Sequence, residues 1–80
     1  MSGICIMIAG TVLLGCSDGA VYTLYRNSLV MQNARLHVAT FDSTDGAEYN
    51  SENCLIARGL FQEQAGVRTM YWCEKGKFRR

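Results

Sequence analysis

"MSGICIMIAGTVLLGC", residues 1–16, decides how much of this 80-residue chain has to fold. If the run is a buried strand or helix, the domain includes it. If it is an export signal or an uncleaved signal anchor, the folded body begins near Ala20. Ser2 to Ser17 carry no charge, and a helix of that length covers about 24 Å, short of the roughly 30 Å hydrocarbon core of a bilayer. A full membrane span is therefore not expected. An apolar core of about 7 to 15 residues followed by small residues is the pattern of an export signal, and Ile4 to Leu14 has that form.

The remainder has a different composition. The eight Lys and Arg and the seven Asp and Glu all lie from Asp18 onward, so the formal net charge of +1 hides an uncharged head and a charged body. With so little net charge, no overall field draws the chain to nucleic acid, anionic lipid or acidic substrates, and no nucleic acid partner is expected. There is room for one domain, with no internal repeat, no low-complexity tract and no proline.

Leu13-Leu14-Gly15-Cys16 resembles the lipobox of bacterial lipoprotein precursors. That resemblance implies lipidation at Cys16, removal of residues 1–15 as a signal peptide, and a short lipidated N-terminus and linker over 16–20, leaving a small domain over 21–80. A thiolate is the nucleophile that accepts a diacylglyceryl group, and two or more acyl chains hold firmly where one is marginal. The implied address is the bacterial cell envelope, lipid-anchored at the periplasmic face. Ser17, where an inner-membrane lipoprotein would carry Asp, favours the outer membrane. From Ala20 onward the chain also resembles short bacterial lipoproteins with a "YNSENC" helix start (49–54) and a "YWCEKG" strand (71–76); that likeness implies no activity.

Once the signal is set aside, Cys5 leaves with it and Cys16 carries lipid, so Cys54 and Cys73 remain as one pair. In an exported domain such a pair forms a disulfide. The bridge closes a loop of about 20 residues, worth about 3 kcal/mol in the chain-entropy picture. Two cysteines and His37, without CxxC or HxxxH spacing, do not supply a tetrahedral zinc shell, so no metal or other cofactor is expected. A catalytic thiol would need a base, and only His37 is available. The protein is read as a non-enzyme with no catalytic residues, and His37 as an ordinary strand residue.

The expected body is α+β, a two-layer β-β-α-β domain with a three-stranded sheet, one helix on one face and one disulfide. "AVYTLYRNS" (20–28) reads as a strand, with Val21, Thr23 and Tyr25 on one face and Tyr22 and Leu24 on the other. "LVMQNA" follows as an irregular link in which Asn33 suits a turn. "RLHVATFDS" (35–43) alternates Leu36, Val38 and Thr40 against His37, Ala39 and Phe41. After turn chemistry at 42–46, Asn50 or Ser51 is expected to cap a helix running toward Gly66. Its apolar side is expected to hold Cys54, Ile56, Ala57, Leu60 and Phe61, opposite Arg58, Gly59, Gln62 and Glu63. "VRTMYWCEKGKFRR" (67–80) closes as a strand, bent or turned at Gly76, reached by a helical crossover to a parallel neighbour. If Cys54 joins Cys73, Tyr71 faces the helix and Trp72 faces away.

A two-layer domain leaves a second sheet face uncovered, where Met70 and Trp72 would form an apolar patch. The tail carries Lys75, Lys77, Arg79 and Arg80 around Phe78, a pattern that suits phosphates of lipid headgroups or of nucleic acid, or simple solvation. These six residues, Met70, Trp72, Lys75, Lys77, Arg79 and Arg80, are the candidate partner-binding set. Function is expected to be that of an envelope lipoprotein acting as a binding, accessory or structural protein. Its partners would be membrane lipid through Cys16 acylation, and an envelope protein or peptidoglycan. The alternative is a phage- or plasmid-encoded small inhibitor that binds a host macromolecular machine.

Overall fold

A computed structural model of the chain describes residues 19–79. In chain order it contains β1 (Tyr22–Arg26), β2 (Leu36–Phe41), α1 (Ala47–Gln62) and β3 (Tyr71–Lys75). The three strands form one sheet in the order β2-β1-β3, with β1 antiparallel to both neighbours. The α+β fold class and the β-β-α-β order are those expected. The crossover is not: β2 and β3 run parallel, but they lie on opposite sides of β1, so the helix carries the chain one strand further than an adjacent pairing would. The central place falls to "VYTLY" (21–25), the segment richest in branched and aromatic residues, which gains most from neighbours on both edges.

β1 is buried on both faces. Leu24 is fully buried on the helix side, opposite Cys73 of β3. Thr23 and Tyr25 are equally buried on the other side, because the chain turns at Gly76 (φ 112°) and lays residues 77–79 back over the outer sheet face. Gly76 anchors this return twice: its N–H donates to the Val21 carbonyl at 2.7 Å, and its own carbonyl accepts from Thr23 Oγ1 at 2.7 Å. A φ of that size is open to glycine and costly for other residues.

Strand β2 departs from simple alternation. Leu24 pairs with Ala39 but Tyr25 pairs with His37, so Val38 is an extra residue, a β-bulge. The bulge flips the faces beyond it. His37 therefore shares the outer side with Thr40, its Nε2 2.7 Å from Thr40 Oγ1, instead of lying with Ala39 and Phe41.

The helix begins earlier than expected, with Gly46 (φ 110°) at the N-cap and no side chain capping it. Asn50 is not a cap but a buried tie. Its amide donates to the carbonyls of Ala20 (2.8 Å) and Ser43 (3.0 Å), while its Oδ1 accepts from the Ser43 N–H (3.0 Å). The side turned to the sheet is Ala47, Asn50, Cys54, Ala57 and Phe61, all buried or half-buried, at i, i+3, i+7, i+10 and i+14. Ile56 and Leu60, expected on that side, are 60% and 64% exposed. Arg58 and Gln62, expected in solvent, reach the outer edge of β3: Arg58 Nε donates to the Tyr71 carbonyl, and Gln62 donates to Thr69 O and accepts from Tyr71 N–H. They satisfy edge-strand groups that would otherwise be open to another chain.

Candidate functional site

Cys54 Sγ and Cys73 Sγ form the expected disulfide, with Cα atoms 6.3 Å apart. It joins the middle of α1 to the middle of β3, and Phe61 stacks on Tyr71 at 5.4 Å beside it. Tyr71 thus faces the helix and Trp72 faces away. Cys5, Cys16 and Arg80 lie outside the described residues.

On the outer sheet face, the candidate residue Trp72 belongs to a packed cluster and is half-buried. Tyr25 lies against Trp72 (centroids 6.0 Å apart) and near Phe78 of the returning tail (6.2 Å), and Phe78 covers His37 at 4.6 Å. Arg35 places its guanidinium 4.4 Å from the Tyr25 ring centre. It donates from Nε and Nη2 to the two Glu74 oxygens, both at 3.2 Å, from Nη2 to the Tyr25 hydroxyl, and from Nη1 to the Arg79 carbonyl. Trp72 Nε1 donates to Glu74 Oε2 at 2.8 Å. That bond, with the Arg35 charge behind it, holds the Glu74 carboxyl below the usual range, and Glu74 in turn raises Arg35. The arrangement is a clasp that holds the tail on the sheet.

The other candidates are scattered by the fold. Lys75 and Lys77 lie near the end of the sheet where β1 starts, since Tyr22 pairs with Lys75. Met70 lies at the opposite end, its N–H donating to Asn27 Oδ1 and its carbonyl accepting from Asn27 N–H. Arg79 is brought toward that same end by Arg35, which pairs with its carbonyl. Sequence reasoning missed Arg35 and Glu74, 39 residues apart, whose meeting leaves no local signature. It also passed over Leu29-Val30-Met31, an apolar run inside a link, where periodicity assigns it to no element.

A shallow groove of about 370 Å³ lies between the end of β2 and the start of α1, lined by Thr40, Phe41, Asp42, Ser43, Tyr49, Asn50 and Asn53. Asn50 is consumed by its bonds to Ala20 and Ser43, so Tyr49, Asn53 and Asp42 are what the groove offers a ligand. Among the described residues, no group of three or more His, Cys, Asp or Glu is placed to hold a metal ion. Nor is any helix among them long and apolar enough to cross a membrane. No protein-family model, no curated protein and no solved structure matches this chain.

Proposed function

We propose that this chain is a bacterial envelope lipoprotein, anchored through acylated Cys16, whose disulfide-stapled domain acts by binding rather than by catalysis. The observation that carries the reading is the Cys54–Cys73 bridge, a bond at home in an oxidising compartment outside the cytosol, in a chain whose LLGC sequence offers both an export route and a lipid acceptor. A second support is spacing. Ala20 is already tied into the fold by Asn50, so only three residues, 17–19, would separate the Cys16 anchor from the domain, keeping the domain at the membrane surface.

Intact-mass measurement on protein expressed from the full gene in a bacterial host tests the reading. The expected species begins at Cys16, carries acyl chains and lacks two hydrogens for the bridge. A chain that retains residues 1–15 with an unmodified Cys16 would refute the anchor.

A further inference from the structure

The two ends of the sheet differ in chemistry. At the end where β1 starts, Asp42, Asp45 and Glu48 follow β2, and Lys75 and Lys77 lie at the end of β3. At the opposite end, where Arg26 pairs with Leu36 and Tyr71, the cations are Arg26, Arg35, Arg68 and Arg79, and the acids are Glu63 after the helix and Glu74, which is bonded to Arg35. Arg35 is paired with Glu74, whereas Arg26 and Arg68 make no ion pair among the described residues.

Between these arginines the β1–β2 loop raises an apolar tip. Val30 is 94% exposed, with Leu29, Met31 and Met70 each more than half exposed. The loop is built to hold this shape: the N–H groups of Val30 and Met31 both donate to Ser28 Oγ (3.1 and 3.0 Å), Asn33 takes the left-handed conformation (φ 61°), and the two Asn27–Met70 bonds bring Met70 up beside it. Consecutive apolar side chains displayed on an ordered loop do nothing for the fold that displays them.

From these observations we infer that the tip formed by Leu29, Val30, Met31 and Met70, flanked by Arg26 and Arg68, docks onto an anionic lipid bilayer. Area and charge select this occupant. Four side chains exposing on the order of 400 Å² fall well short of the about 800 Å² per partner that a stable protein interface buries. A bilayer needs no complementary pocket: the apolar tip enters the acyl boundary and the arginines meet headgroup phosphates. The contact is separate from the Cys16 anchor and does not rest on it.

The test is methyl NMR of the full chain in bicelles of phosphatidylcholine with phosphatidylglycerol, doped with a spin-labelled lipid. The readout is local, so attachment through residues 1–18 does not mimic it. Expected is selective broadening of the Leu29, Val30, Met31 and Met70 methyls, several-fold above that of Ile56 and Leu60 on the helix and of buried Leu24. An Arg26→Gln/Arg68→Gln variant should weaken binding roughly thirtyfold, and Val30→Asp should abolish it without altering the fold. The inference is overturned if the tip methyls stay sharp while Ile56 and Leu60 broaden, or if broadening is equal in pure phosphatidylcholine. It is overturned equally if the tip signals shift with protein concentration in the absence of lipid, which would mark a second copy as the occupant.

Discussion

The Asn50 side-chain amide on α1 donates to the Ala20 carbonyl at 2.8 Å, thirty residues away in sequence. Together with its two bonds to Ser43, this one side chain ties the helix to the chain ahead of β1 and to the turn after β2. Asn50→Leu fills similar volume but orphans two carbonyls and one N–H. With an unsatisfied buried group costing about 1–3 kcal/mol, the variant is expected to lose about 2–4 kcal/mol of stability. Urea denaturation followed by Trp72 fluorescence reads this directly, and a loss below 1 kcal/mol would show that water replaces the amide.

Removing the staple has a comparable effect by another route. Cys54→Ala with Cys73→Ala leaves the helix packing in place but frees a loop of 19 residues' separation in the unfolded chain, for an expected loss of about 3 kcal/mol. Reducing the wild-type protein should reproduce the shift in denaturation midpoint.

Acid should loosen the outer face. The Glu74 carboxyl is held low by Trp72 Nε1–H first and by Arg35 second, so its folded pKa lies below its unfolded one. A group shifted that way adds stability above its unfolded pKa, near 4.3 for an ordinary Glu, and that stability drains as pH falls through the lower folded value. Glu74→Gln is expected to be less stable at pH 7 and to converge with wild type once the pH has fallen below the lowered folded value. Parallel stability curves for the two proteins would contradict the clasp.

Phe78 is the part of the tail that covers Tyr25 and His37. Because it remains 39% exposed, Phe78→Ala is expected to cost only about 1–2 kcal/mol. The more telling readout is Trp72: its emission should move to longer wavelength as the tail lifts.

What sequence alone reveals here follows from the range of the interactions. The strand at 35–43, the helix and the disulfide partners announce themselves through alternation, periodicity and cysteine count. Three features do not. The Val38 bulge is a local insertion that alternation cannot register, and it moves His37 to the other face. The helix face was misjudged because Ile56 and Leu60 are apolar yet exposed, while Asn50 is polar yet buried, so hydrophobicity alone points the wrong way. The clasp of Arg35, Glu74, Tyr25 and Phe78 joins four separate segments, and only the folded chain brings them together.

The strand order also governs when this protein can fold. Strand β1 emerges first but sits in the middle, and its second edge stays empty until β3, the last strand, arrives to occupy it. A nascent chain that stops short of Tyr71 has neither a closed sheet nor a partner for Cys54. Such distant pairing is slow to form, so the sheet of the described residues closes only once its last strand has been made.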